Sequence, residues 1–133
     1  MASTYSTNLK IQLIGTGDQA GTWGSATNTN LGTVLEQAIS GYTTLALGAG
    51  TNDYSGLMSP GTGATIRNMY IELTAVGSST LIVPSTSSLC GSKLYFIYNN
   101  TTGGYAVTVK VSGQTGVSVP NGAKVVLVSN GTD

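Results

Sequence analysis

No histidine occurs in the 133 residues, and ionic side chains are nearly as scarce. Five basic and five acidic residues, 8% of the chain, cancel to a formal net charge of zero, against roughly 25% charged residues in an ordinary soluble domain. The missing imidazole removes the commonest acid–base group at neutral pH and a leading metal ligand. Asp18, Glu36, Asp53, Glu72 and Asp133 stand far apart, and no stretch has the closely spaced oxygen ligands of a calcium loop. Folding could still assemble a carboxylate pair, as it does in glycosidases, but the spacing points to no enzyme. No catalytic, cofactor-binding or metal-binding residue is assigned.

The five cations, Lys10, Arg67, Lys93, Lys110 and Lys124, are scattered singly. A nucleic-acid binder needs them clustered. One cysteine, Cys90, cannot form an internal disulfide, and without a histidine it reads as a small packing residue rather than a nucleophile. Met1–Thr7 lacks the basic and apolar regions of a signal peptide. No apolar run approaches the roughly 20 residues of a membrane span. Gly15-Thr16-Gly17-Asp18-Gln19-Ala20 has the place of a phosphate loop, but it lacks the third glycine of the dinucleotide fingerprint and any Gly-Lys-Ser/Thr, and Asp18 would repel phosphate. It reads as a flexible loop.

What remains is a mildly apolar chain, 40% hydrophobic, with 19 glycines and seven tyrosines. A surface with so little charge is prone to association, so the expectation is a chain that works inside an assembly. The alternative is a monomer covered in Ser, Thr, Asn and Gly.

Residues 1–8 form a polar segment expected to be an extended arm, and 9–133 a single β-rich domain. Leu9, Ile11 and Leu13 alternate with Lys10 and Gln12, which predicts a strand over Leu9–Ile14. Leu31, Val34, Leu35, Ala38 and Ile39 share one helical face and predict a helix over about 28–40. Asn28, Thr29 or Asn30 would cap its start, and Gly41 would end it in a left-handed conformation. Tyr42–Leu47, Arg67–Val76, Leu81–Pro84, Lys93–Tyr98, Tyr105–Val111, Val117–Pro120 and Lys124–Ser129 read as strands, and Gly48–Gly63 as loop. The Asn99–Gly104 and Asn121-Gly122 turns predict two hairpins. No internal repeat is evident. The fold expected is mainly β, an antiparallel β-sandwich or small barrel with one N-terminal α-helix. The chain ends at Asp133 without a closing element, as a piece of a longer polypeptide would.

Lys93–Tyr98 is apolar on both faces, with Leu94, Phe96 and Tyr98 on one and Tyr95 and Ile97 on the other. That suits a central strand or a face given to a partner. Trp23, between Thr22 and Gly24, is either an interface anchor or a core plug. Tyr42, Tyr54, Tyr70, Tyr95, Tyr98 and Tyr105 are candidates for a glycan-stacking surface, although strand tyrosines more often pack or cover a sheet.

The opening MASTYSTNLKIQLIGTGDQAGTWGSATNTNLGTVLEQAISGY resembles the N-terminal segment of structural proteins of marine tailed bacteriophages. Its Gly-Thr-Trp-Gly run, Asn-rich stretch and Leu-Glu-Gln-Ala-Ile helix come in the family's order. RNMYIELT, LIVP and the run from Lys93 to Asp133 are similar too. The resemblance implies a tail-fibre-like virion protein, made in the host cytoplasm and carried on the particle. It implies no catalytic residues. The partners expected are further copies of itself, as a homotrimer, and other tail or capsid proteins. No nucleic acid, membrane span or cofactor is expected, and a host surface glycan only where a distal region is present. The assembly interface is expected at Trp23, Tyr95, Ile97, Leu9 and Ile11. A capsid-decorating cement protein and a glycan-binding adhesin are the alternative roles.

Overall fold

The computed structural model describes residues 3–85 and 92–133; Cys90 lies outside them. Near the N-terminus, β1 (Thr4–Tyr5) pairs antiparallel with β2 (Gln12–Leu13). The segment expected to be a free arm thus folds back, and the strand expected over Leu9–Ile14 is reduced to two residues. Lys10, at φ 57°, supplies the left-handed kink that an alternating pattern cannot reveal.

The helix runs 18 residues, as α1 (Trp23–Thr29), a π-helical stretch Asn30–Leu35, and α2 (Glu36–Ser40). It starts earlier than expected, so Asn30 is not a cap. Its amide instead bonds the backbone of Gln12 in both directions, at 3.0 and 2.8 Å, tying helix to β2. Gly41 is extended (φ −65°, ψ 132°) rather than left-handed. A Cβ there would meet Asn68 Oδ1 at 2.2 Å and Gln37 Cα at 2.6 Å, so close approach is what demands glycine.

Beyond Gly41 the chain winds between two four-stranded sheets. β3 (Tyr42–Ala46), β5 (Tyr70–Thr74), β7 (Lys93–Asn99) and β10 (Lys124–Ser129) form one, in the order β10-β7-β5-β3. β4 (Gly50–Asp53), β6 (Ser79–Val83), β8 (Val107–Val111) and β9 (Val117–Val119) form the other, in the order β4-β6-β8-β9. β3–β5, β5–β7, β4–β6 and β6–β8 are parallel pairs; β7–β10 and β8–β9 are antiparallel. This corrects the expected antiparallel architecture. The sheets are open, which also corrects the barrel.

Neither expected hairpin forms, because β7 and β8 lie in different sheets, as do β9 and β10. The cause is a polar corner. After β7, Asn100 N bonds Leu73 O at 2.9 Å and Thr102 N bonds Ala75 O at 3.0 Å, so the chain follows the turn beneath instead of doubling back. Fully buried Asn99 holds the corner: its amide donates to Tyr105 O and Val119 O and accepts from Thr101 N. Tyr105, expected to open the strand, lies outside it and is exposed.

The winding also reveals a structural repeat that the sequence reading missed. Tyr42 pairs with Tyr70 and Tyr70 with Phe96, spacings of 28 (42 to 70) and 26 (70 to 96). Gly50 pairs with Ser79 and Ser79 with Val107, spacings of 29 (50 to 79) and 28 (79 to 107). β4 falls inside the segment expected to be loop. Its Gly-Thr-Asn-Asp composition has little strand propensity, and the ladder to β6 imposes the conformation.

Leu45, Ile71, Leu73, Tyr95 and Ile97 of the first sheet share one buried cluster with Leu81, Val83, Val107, Val109 and Val111 of the second. Arg67, fully buried after the 3-10 turn Thr65–Arg67, joins this region to the N-terminal unit. Its Nε donates to Leu9 O at 2.9 Å, its terminal nitrogens donate to Ser59 O and Thr62 O, and Gln37 Oε1 lies within reach. The carbonyl of Leu9 and two from the loop at Ser59 and Thr62 thus share one planar donor fork. Arg67→Met orphans them at about 1–3 kcal/mol each. Urea unfolding should show a loss of about 3 kcal/mol or more, with Arg67→Lys recovering only part of it. A Met variant within 1 kcal/mol of the parent on the order-of-magnitude scale of one hydrogen bond would show the clamp to be dispensable.

Candidate functional site

The outer face of the β10-β7-β5-β3 sheet carries the most distinctive surface of the described residues. Alternation fixes its members: with Ile71, Leu73, Tyr95 and Ile97 inward, Tyr70, Glu72, Leu94, Phe96 and Tyr98 point out. The registers align them into rows. Val126, Phe96, Tyr70 and Tyr42 stand side by side across all four strands. Lys124, Tyr98, Glu72 and Thr44 form the next row, and Val128 lies beside Leu94. Tyr42 is 63% exposed and Val128 73%. A shallow groove of about 490 Å³ runs along this face, lined by Tyr42, Tyr70, Glu72, Phe96, Tyr98 and Lys124.

The rings of Tyr70 and Phe96 stack on one another, centroids 4.8 Å apart and planes 28° apart. Lys124 Nζ lies 4.8 Å from the Tyr98 ring centre, a cation–π contact that draws the charge back onto the face. Glu72 is the anionic member. The Tyr42 hydroxyl donates to one of its oxygens and the Asn100 amide to the other at 2.6 Å. The Tyr42 bond, then the Asn100 bond, hold the Glu72 carboxyl below its ordinary 4.5, and the same bond to Glu72 raises the Tyr42 phenol above 10.0. Glu72 is therefore an acceptor at neutral pH, suited to orienting a neighbour and unsuited to giving up a proton. Elsewhere, Asp18 and Asp53 are lowered by bonds from Ser3 and Ser55. Among the described residues no three His, Cys, Asp or Glu side chains come together to hold a metal.

Comparison with protein-family models, curated proteins and solved structures finds no match for this chain.

The residues expected to form an interface separate. Tyr95 and Ile97 are each 1% exposed and belong to the core. Apolar residues on both faces of Lys93–Tyr98 left the direction undecided; the answer is that Leu94, Phe96 and Tyr98 face out. Lys93 folds inward, its Nζ bonding Asn68 O and Leu94 O above the Tyr95 ring. Leu9 and Ile11 are half-buried tethers: Leu9 O receives Arg67, and Ile11 N donates to Ser6 Oγ. Trp23 is 62% exposed, so it is no core plug.

Trp23, Leu31 and Ile39 are exposed on the helix, of which only Val34 and Ala38 are buried. In a regular α-helix, residues eight apart drift sideways. The π stretch, with its i→i+5 bonds, winds fewer degrees per residue and draws Leu31 and Ile39 back toward one line. The 3.6-residue pattern grouped Leu31 and Ile39 with the core face because it could not anticipate this.

The Tyr42–Glu72 bond sets a two-sided pH window. The depressed carboxyl contributes stability above its ordinary range, lost as pH falls through the lowered pKa; the raised phenol contributes below 10.0, lost as pH climbs through the raised one. In Tyr42→Phe, carboxyl-carbon NMR titration should return Glu72 toward 4.5, with Asn100 still holding it somewhat below. An unmoved titration would show that Asn100 alone lowers it.

Proposed function

We propose that this chain is a structural component of a bacteriophage particle. It serves as the particle-anchoring N-terminal module of a tail fibre or similar appendage, and it works by protein–protein assembly rather than catalysis. The observation that carries this reading is the apolar outer face of the β10-β7-β5-β3 sheet, open at both edges, in a chain with only 8% charged residues. A contiguous exposed apolar surface on a soluble chain marks a contact site. Burying several hundred Å² of it at about 25 cal/mol per Å² offsets the ordering cost of association. In this reading the two sheets face each other across the shared cluster as the layers of a sandwich, which makes a stiff platform for the surface.

The exposed Trp23, Leu31 and Ile39 of the helix make the second contact, directed at the virion, while the sheet surface meets copies of the chain. The phage resemblance implies three copies. A glycan-binding role is less favoured. Sugars stack on free ring faces, and Tyr70 and Phe96 spend theirs on each other. A capsid-decorating role would use the same surfaces, and the chain's position on the particle separates it from a tail role.

Mass spectrometry of purified particles should find the chain, and labelled cryo-microscopy should place it on the tail. Trp23→Ala should lower incorporation by about tenfold or more, the loss expected of a tryptophan hot spot, with the melting temperature unchanged. Absence of the chain from particles would remove the reading. A Trp23→Ala chain that unfolds would remove Trp23 from the interface.

A further inference from the structure

We propose that β10 is a self-pairing edge: two copies of the chain join antiparallel along Lys124–Ser129 across a two-fold axis, fusing their four-stranded sheets into one. This deepens the assembly reading by naming the partner as a second copy.

The phase of the β10 backbone comes first. Asn99 N donates to Ala123 O at 2.9 Å, and Lys124 stands opposite Tyr98, so the hydrogen-bonded positions facing β7 are Ala123, Val125, Leu127 and Ser129. In an antiparallel ladder the alternate residues turn both backbone groups the other way. Lys124, Val126 and Val128 therefore direct N–H and C=O out of the sheet. β10 is the last strand in its order, and no turn or loop among the described residues bonds these groups. A row of outward donors and acceptors is complementary to one thing, another extended strand.

Second, the edge is unguarded. Natural edges are protected by proline, bulges, brevity or charge. β10 has six residues, pairs without a bulge, and contains no proline. Its one charge, Lys124, is folded over the Tyr98 ring. By contrast, β9 at the same end has only three residues.

Third, the strand is its own complement. A two-fold axis at Leu127 places Val126 opposite the partner's Val128, and Val128 opposite the partner's Val126. Both members of each pair have outward backbone groups, so each pair can exchange its hydrogen bonds. The apolar row Tyr42, Tyr70, Phe96, Val126 then continues into the partner's Val128 and Leu94. Lys124 is carried toward the partner's Asn130 and Asp133, an opposite charge. The registers centred on Val125 or Val126 set Lys124 against a valine of the partner and match charge to an apolar side chain, and the one centred on Val128 pairs only the end of the strand. A groove of about 360 Å³ between β9 and β10, lined by Val109, Val111, Val117, Val126 and Val128, opens at this edge and is closed off by the second copy. Specific interfaces bury about 1,000 Å² or more in total, so a contact confined to one six-residue strand and its groove makes a reversible dimer. An isologous contact of this kind gives two copies and cannot by itself close a ring of three.

Sedimentation equilibrium of the full chain from micromolar to millimolar concentration tests the contact. The mass should rise from 13.5 kDa to roughly twice that value. Val128→Lys adds a charge at an already exposed outer position, which leaves folding intact. It should keep the protein at 13.5 kDa throughout, with an unchanged circular-dichroism spectrum. Val126→Pro removes an outward N–H that β7 does not use and should act alike; if it unfolds, Val128→Lys decides. A parent chain that stays monomeric, a Val128→Lys chain that still dimerises, or a three-copy mass insensitive to the substitution overturns the proposal. Failure here with the chain still found in particles leaves the assembly role standing. Absence from particles with the dimer intact removes that role and not this contact.

Discussion

Every strand beyond Gly41 except β4 packs side chains into or against one shared apolar cluster, and that requirement governs the rest of the structure. Once Ile71 and Leu73 of β5, Tyr95 and Ile97 of β7, and Val125 and Leu127 of β10 are committed inward, their neighbours have no choice but to face outward. The aromatic row is thus a by-product of core packing in its orientation, though not in its composition. Polar residues at Tyr70, Phe96, Val126 and Val128 would have satisfied the core equally well. The Tyr70–Phe96 stack gives two of them a role within the sheet; Val126 and Val128, exposed on the edge strand, bear on association.

Two polar devices make the winding possible. Asn99, buried without charge, satisfies the carbonyls left bare where the chain leaves one sheet for the other. Arg67 does the same for the distant carbonyl of Leu9 and for those of Ser59 and Thr62 in the loop just before it. Burying a guanidinium is costly unless its donors are met. Here its bond to Leu9 O adds a directional tie to the packing that Val34 and Ala38 of the helix provide.

Much of the strand content was legible from period-two alternation, as with Ile71, Leu73, Val107, Val109 and Val111. The pairing was not. Alternation is identical whether a strand pairs with its neighbour in sequence or with one about 28 residues away (42 to 70), and the turn-like composition at Asn99–Gly104 favours the wrong choice. The decisive signal is the recurrence of an aromatic residue at Tyr42, Tyr70 and Phe96, which is faint because the intervening segments share little else. At the candidate site, Trp23 was recognisable as a lone large residue among glycines. Tyr95 and Ile97 were assigned to the surface because a strand apolar on both faces offers no internal direction. Only the position of Lys93, tucked over Tyr95, breaks that symmetry, and no local pattern encodes it.

The recurrence of near-equal turns has a genetic consequence. In a winding whose strands pair mainly with the turn before and the turn after, a single unit can be duplicated or deleted in frame without altering the others. The antiparallel strands β9 and β10 break the parallel progression, so an added turn fits between the helix and that pair. Gain or loss of one turn would change that part of the chain by about 28 residues (42 to 70).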